Sequence, residues 1–134
     1  MKWFSMNEFE CHCGCRMPDS ARANIVALVE QVLDPARERY GKPVCVNSGY
    51  RCARHNAAVG GVANSRHTRG EAADVVPGES GQVTGDSLER LARIIEENGR
   101  YDQLIRYMGP GGKIRFIHVS WKSNGQNRKM KFDK

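Results

Sequence analysis

Two histidines and one aspartate, His67, Asp74 and His118, have side chains of the types that bind metal ions. Two imidazoles and one carboxylate suit a divalent ion of the zinc type. His67 and Asp74 stand seven residues apart, which suits a loop that leads into a strand, and Gly70 between them lets the backbone turn. Because three protein ligands leave a fourth position for water, the set predicts an open, catalytic type of zinc site.

Each of these residues also has an ordinary interpretation when it is taken alone. His67 would cap a loop, Asp74 would pair with a neighbouring arginine, and His118 would be a half-buried polar residue. The metal interpretation therefore depends on the elements that bring the three together.

Two stretches of the chain carry apolar side chains three and four residues apart, as one face of a helix does. The first covers residues 20–33, and Asp34-Pro35 should kink the helix or restart it. The second begins at Asp86, where Asp86 and Glu89 form a capping box, and it stops at Gly99. These stretches predict the two main helices.

Four short segments have the composition or alternation of strands. They are residues 43–47, 72–76, 103–107 and 114–121. A glycine-rich turn at 109–112 joins the last two into a hairpin, and 48–70 is predicted as loop with one helical turn. The predicted fold class is α+β, a small antiparallel sheet with packed helices.

Length and composition are those of one globular domain over residues 1–134, with a Cys-rich segment at 1–18 and a basic tail at 122–134. The net charge is +6, but no aromatic–basic interleaving supports a nucleic-acid partner. No apolar run approaches the ~20 residues of a membrane span, and residues 1–10 lack the features of a signal peptide. We therefore expect cytoplasmic synthesis, no membrane span and a monomer.

Five cysteines are an odd number and unevenly spaced, which argues against a disulfide scaffold. Cys11, Cys13 and Cys15 form a C-x-C-x-C run that is denser than the usual C-x-x-C zinc knuckle. We expect reduced, buried thiols here. The alternative is a second, structural zinc, for which the fourth ligand would be His12, Cys45 or Cys52.

Three motifs follow one another along the chain. They are Ser48-Gly49-Tyr50-Arg51, the S-x-H-x-x-G-x-A-x-D pattern of 65–74, and Phe116-Ile117-His118-Val119-Ser120. Together they resemble the M15 family of zinc D-Ala-D-Ala peptidases, in particular its short, phage-associated branch. The resemblance implies the fold shared with hedgehog signalling domains, and peptidoglycan stem peptides as substrate.

The same resemblance implies roles for single residues. His67, Asp74 and His118 match the ligands of one zinc ion. Arg51 matches an arginine that engages the substrate carbonyl or terminal carboxylate, where its charge stabilises a developing oxyanion. Ser65 would be a polar contact near the metal. The alternative for Arg51 is a surface salt bridge, which contributes little.

The general base departs from the family pattern. In the family it is an acidic residue or a histidine three positions before the last zinc histidine, and Arg115 stands there. Strand alternation also points Arg115 away from the face of His118. Asp102 and Gln103, at the start of the partner strand, and Glu71, close to the motif, are the remaining candidates.

Three aromatic residues, Tyr50, Tyr107 and Trp121, are candidates for lining a substrate groove, although aromatics in a domain of this size more often belong to the core. Our leading hypothesis is a zinc metallopeptidase that cuts D-amino-acid bonds in peptidoglycan, as a D,D-carboxypeptidase or an endopeptidase of the phage lysis type. It would act in the periplasm or the cell wall after release. The alternative is a non-catalytic zinc module that binds cell wall or a protein.

Overall fold

The computed structural model describes residues 1–78 and 84–134, and the predicted α+β class is confirmed in those ranges. The α-helices are α1 (Asp19–Leu28), α2 (Asp34–Tyr40), α3 (Ala53–Ala58) and α4 (Gly85–Asn98). The strands are β1 (Val44–Ser48), β2 (Ala72–Pro77), β3 (Gln103–Met108), β4 (Ile114–Ser120) and β5 (Met130–Asp133).

The helical path does not break at the predicted interruption. A π-helical turn, Val29–Leu33, joins α1 to α2, and the Asp34 amide donates to the Val29 carbonyl five residues back. Pro35 then lies in the first turn of α2, where its missing N–H is tolerated. The wider π-helical turn accommodates Pro35 while the chain stays packed in the core.

Helix α4 begins one residue earlier than predicted, and a different residue caps it. The Thr84 hydroxyl accepts a hydrogen bond from the Ser87 amide, and the Ser87 hydroxyl in turn accepts one from the Thr84 amide. The predicted Asp86–Glu89 box is wrong, because Glu89 pairs with Arg106 on β3 instead. Five apolar residues of this helix are buried: Leu88, Leu91, Ala92, Ile94 and Ile95.

The strands form one sheet in the order β1-β2-β4-β3-β5, and the first four pair antiparallel as predicted. The register places Asp74 of β2 between Ser48 of β1 and His118 of β4, and His118 lies opposite Ile105 of β3. One row across the sheet therefore carries two of the three predicted metal ligands.

The basic segment 122–134 is more than a tail. It contributes β5, which pairs parallel with β3, so the sheet is mixed. The Asp102 carboxylate anchors the segment that leads back to β5. It accepts hydrogen bonds from the Arg128 amide and guanidinium at 2.8–3.1 Å. The predicted loop 48–70 is also more regular than expected, since it holds α3 and a 3₁₀ turn, Arg66–Arg69.

The face of the sheet opposite the Asp74–His118 row packs into the apolar core. Ala73, Val75, Ile117 and Val119 are all fully buried there. The N-terminal segment joins the same core through Phe9, whose carbonyl accepts from the Tyr50 amide. None of the helices in the described ranges is long and apolar enough to cross a membrane.

Candidate metal centre and its cavity

The three predicted ligands converge at the sheet. The Asp74 Oδ1 atom lies 2.9 Å from His118 Nδ1 and 3.3 Å from His67 Nε2. One ligand atom from each residue can be chosen so that all lie within 4.8 Å of one another, and all three residues are buried. Two nitrogens and one carboxylate oxygen fit zinc, whereas calcium and magnesium sites are built mainly from oxygen.

A short turn positions His67 before β2. The 3₁₀ turn Arg66–Arg69 begins with the Ser65 hydroxyl accepting from the His67 amide, and it ends at Gly70 with φ of +73°. A side chain at Gly70 would also collide with the Ala21 carbonyl oxygen of α1. Gly70 thus allows both the left-handed backbone and the close approach of the turn to the helix.

A second hydrogen bond orients the imidazole of His67. Its Nδ1 atom lies 2.7 Å from the carbonyl oxygen of Gly49. When Nδ1 donates to that carbonyl, Nε2 is the nitrogen that is directed at Asp74 and that would face a metal ion. Gly49 itself must be small, because a Cβ there would lie 2.7 Å from the Phe9 backbone.

Electrostatics hold the cluster in its metal-binding ionisation state. Burial alone would raise the pKa of Asp74, but hydrogen bonds and charge from His118 and His67 outweigh it and leave that pKa well below its usual range. Burial lowers the pKa of His118, more than the hydrogen bond to Asp74 raises it. The carboxylate is therefore ionised and the His118 imidazole neutral at pH 7.

Arg51 is fixed beside the cluster by three side chains. Its guanidinium donates to Asp74 Oδ2 at 3.2 Å, to Ser48 Oγ at 3.0 Å and to Asn56 Oδ1 at 3.3 Å. The Arg51 amide also donates to the carbonyl of His67. Since the side chain is only 16% exposed, the surface salt bridge considered as its alternative does not describe it. Arg51 is a positioned charge in the site.

A cavity of about 560 Å³ opens over this cluster. Its wall includes Arg51, Ser65 and all three metal-type ligands. The cationic side chains of the wall are Arg51, Arg66, Arg128 and Lys134. Among the described residues that line the cavity, Asp74 is the sole one with a carboxylate side chain. The cavity therefore favours anionic or carbonyl-rich ligands.

The structure separates the candidates for the general base. Gln103 lines the cavity, but its amide does not take up a proton. Asp102 is fully buried and bound by Arg128, which holds the pKa of its carboxyl below the usual value although burial opposes this. Glu71 is buried too, and accepts from Arg66 and the Ser123 amide. Neither carboxylate lines the cavity, so their predicted catalytic use is not supported.

Arg115 lies where the strand alternation predicts. It is exposed and packs over Gly109, outside the set of residues that line the cavity.

The three aromatic candidates have different environments. Tyr107 lines the cavity, stacked on Phe116 with a ring-centroid separation of 4.6 Å and edge-to-face with His118. Tyr50 is buried in the apolar core and is absent from the cavity wall, so the structure does not support its predicted substrate contact. Trp121 packs at the edge of the same core.

Sequence reasoning missed three residues of the site. Arg128 and Lys134 reach the cavity because β5 returns beside β3. The signal was the alternation of apolar and charged residues in 130–133, which is hidden in a basic stretch. Asn56, 3% exposed, holds Arg51 and donates to the Val62 carbonyl. A polar residue within a short helix gave no distinctive signal.

Fold and site together define a class of protein, an α+β domain whose sheet and adjoining 3₁₀ turn present a His–Asp–His cluster to a cationic cavity. Residues 2–120 match the profile of the Peptidase M15 family, and the chain belongs to that family. The resemblance predicted from the three motifs is therefore confirmed.

Two individual proteins illustrate the relationship. The chain is 39% identical over 103 residues to the zinc D-Ala-D-Ala carboxypeptidase of Streptomyces albus G, which covers 75% of this chain and 36% of that protein. The chain thus spans about a third of that relative. The crystal structure of the Serratia marcescens L-Ala D-Glu endopeptidase ChiX matches with a TM-score of 0.51 at 20% identity, covering 82% of this chain and 92% of that one. The second likeness supports the fold.

Proposed function

We propose that this protein is a zinc-dependent hydrolase that cleaves peptide bonds next to D-amino acids in peptidoglycan stem peptides. The observation that carries the proposal is the placement of three buried metal-type ligands and a fixed arginine in the wall of one cavity. Both similar proteins are named as peptidases, one as a D-Ala-D-Ala carboxypeptidase and the other as an L-Ala D-Glu endopeptidase.

In this proposal each residue has a task set by its contacts. His67, Asp74 and His118 hold the ion. When bound, zinc polarises a carbonyl and lowers the pKa of water. Arg51 stabilises negative charge on the former carbonyl oxygen, and its bonds to Ser48 and Asn56 fix its direction before substrate arrives. Hydrolysis adds water across the C–N bond and yields a carboxylate and an amine.

The cationic wall supports a carboxylate-bearing substrate. Arg66, Arg128 and Lys134 line the cavity together with Arg51, while the negative charge of Asp74 is shared with the histidines and Arg51. The carboxylates of stem peptides are attracted to such a wall. Tyr107, stacked on Phe116, offers a rigid apolar surface against which a peptide backbone can lie.

A non-catalytic zinc module is the second candidate. One observation favours it: among the described residues of the cavity wall, the sole carboxylate side chain is that of the metal-type ligand Asp74. Gln103 can orient a water molecule but cannot accept its proton. A module of this kind would bind stem peptides and release them uncut.

Digestion of purified peptidoglycan separates the two candidates. The zinc-loaded protein is incubated with sacculi, and released fragments are identified by mass spectrometry. Free D-Ala indicates carboxypeptidase action, and a loss of cross-linked dimers indicates endopeptidase action. A His67→Ala, His118→Ala double variant is the matched control. Unchanged fragments with zinc fully bound would reject the enzyme, and retained binding of the protein to sacculi would then support the module.

Action in the periplasm or the cell wall, after release from the cytoplasm and in a lysis role, is part of the same proposal. It is tested by adding purified protein to bacteria with permeabilised outer membranes and following turbidity. Clearing that requires His67 and His118 would support the lysis role, and unchanged turbidity would argue against it.

A further inference from the structure

A second cluster of metal-type side chains lies apart from the cavity. The sulfurs of Cys11, Cys13, Cys15 and Cys52 all lie within 4.8 Å of one another, although Cys52 is far away in sequence. The Cys13 sulfur is 3.3 Å from that of Cys11 and 3.5 Å from that of Cys52. The Cys11 and Cys52 sulfurs are 3.8 Å apart.

These spacings match a tetrahedral site. With a Zn–S bond of about 2.3 Å, the edge of a ZnS₄ tetrahedron is about 3.8 Å. A disulfide would need sulfurs about 2.05 Å apart, and all four cysteines are free. Tetrahedral coordination by four sulfurs is typical of zinc and of iron–sulfur sites.

Apolar packing does not account for the cluster. Of the four, only Cys11 is buried; Cys13 is exposed, and Cys15 and Cys52 are half-buried. The predicted buried thiols are therefore wrong for Cys13. Thiols that meet at a partly exposed place gain little from leaving water, so a shared ligand is the better reason for their convergence.

Backbone groups already support charge on the sulfurs. The Cys52 amide donates to Cys11 Sγ and the His55 amide to Cys52 Sγ, both at 3.4 Å. The Gly14 amide donates to the Cys11 carbonyl, and Gly14 has a φ of +81°, so the chain folds back between Cys11 and Cys15. This turn lets a C-x-C-x-C run present three sulfurs to one point.

We propose that Cys11, Cys13, Cys15 and Cys52 bind a structural zinc ion, separate from the ion at His67, Asp74 and His118. Four protein ligands close the coordination shell, so this ion would hold structure and leave no position for water.

The position of the cluster indicates which two parts of the chain such an ion would hold together. Cys52 follows Arg51 and caps α3, and Gly49, which orients His67, contacts Phe9 just before the cysteine run. The ion would therefore tie the N-terminal segment to the stretch that carries Arg51. The proposal extends beyond the hydrolase function, and it can stand or fall independently of it.

Metal analysis of the full chain tests the proposal. We expect wild type, expressed with zinc, to contain two zinc ions per chain. The His67→Ala, His118→Ala variant should keep one ion, and a Cys13→Ser, Cys15→Ser variant should keep the other. Cys45→Ser is the matched control, because Cys45 is an exposed cysteine outside the cluster, and it should keep both.

Cobalt substitution identifies the ligands without relying on a cysteine variant. The cobalt-loaded double histidine variant should show thiolate-to-metal charge-transfer absorption, because thiolates would be the ligands that remain. Absence of that absorption in this variant and in wild type would overturn the proposal. Disulfides among these cysteines in the unreduced protein, or iron in place of zinc, would overturn it as well.

Discussion

The two clusters of metal-type ligands in this protein differ in what holds them. His67, Asp74 and His118 are 3–9% exposed, and two of them face each other on adjacent strands. Each also has a hydrogen-bond partner inside the protein. The cysteine cluster stands on loops and on the first residue before a helix. Its members are mostly exposed or half-buried.

This difference indicates that the fold organises the first site, whereas a metal ion would organise the second. We expect the sheet to assemble the histidine–aspartate cluster with or without an ion, because strand register and burial fix its members. The cysteine run has little regular structure of its own, so an ion there would supply folding free energy. We therefore expect metal loss to abolish chemistry at the first cluster and to loosen structure at the second.

The largest expected effect is at Asp74. Asp74→Asn keeps the size of the side chain but removes the charge that faces both histidines and Arg51. We expect the ion at this cluster to be lost and peptidoglycan cleavage to fall by at least about 1000-fold. Zinc content and fragment release measure the two effects. Activity within tenfold of wild type would contradict the assignment.

Asp102→Asn is the matched control for that substitution. Asp102 is a second buried aspartate paired with an arginine, but outside the cavity. We expect it to lower the free energy of unfolding by roughly 2 kcal/mol, since Arg128 is half exposed, and to leave zinc content unchanged. Because Asp102 also holds Arg128 in the cavity wall, cleavage should fall no further than in Arg128→Ala. A larger loss of cleavage with stability intact would return Asp102 to the list of bases.

Arg51→Lys is expected to have the next largest effect on activity. A lysine keeps the charge but lacks the planar guanidinium whose three nitrogens each bond one of Ser48, Asn56 and Asp74. We expect kcat/KM on a stem-peptide substrate to fall about 100-fold while zinc content stays at the wild-type value. Wild-type kinetics in this variant would show that Arg51 only balances the charge of Asp74.

The sequence predicted the first cluster better than the second for a physical reason. Two of its ligands lie within one ten-residue motif, and His118 lies in a strand whose alternating side chains can be recognised in the sequence. The fourth cysteine, Cys52, is joined to the others only through the fold, by the contact of Phe9 with Gly49 and Tyr50. The spacing of residues in the sequence does not reveal such a contact.

Non-local pairing also explains the other misses. β5 pairs with β3 across 27 residues of chain, and its four residues stand in a stretch rich in lysine and arginine, so the sequence predicts only a basic tail for Arg128 and Lys134. The cap of α4 was missed because Thr84 and Asp86 are both good capping residues two positions apart. The four predicted strands, which depend on local composition and alternation, agree with β1 to β4 within one residue at each end.

At the cysteine cluster we expect loss of the metal to lower the stability of the fold, whereas at the histidine–aspartate cluster we expect it to abolish chemistry. Cys13 is exposed, so without a metal Cys13→Ser would be nearly neutral. If the cluster binds zinc, we expect the variant to lower the free energy of unfolding of the zinc-loaded protein by about 3 kcal/mol. Denaturant unfolding with and without a chelator measures this. A chelator should bring wild type close to the variant, and an equal gap in both conditions would contradict a bound ion.

The smallest expected effect is a pH dependence of the metal-free protein that His118 sets. Burial lowers the pKa of His118 from the ordinary 6.5, and the charges of His67 and Arg51 lower it further, against the hydrogen bond that His118 donates to Asp74 and the charge of that carboxylate. The unfolded chain therefore takes up this proton first as the pH falls. The contribution of His118 to stability is complete above pH 6.5 and is lost below it, and Asp74 adds a second loss below its ordinary value of 3.8.

Thermal unfolding in chelator, from about pH 7.5 to about pH 5, measures the first of these losses. Wild type should lose Tm over this range more steeply than His118→Gln, which lacks the titrating imidazole. Chelator strips any zinc from the cysteines of both proteins, so the difference between their slopes belongs to the histidine–aspartate cluster. Parallel slopes would mean that the sheet does not impose the neutral form of His118. The claim that the fold prepares this site before the metal arrives would then fail.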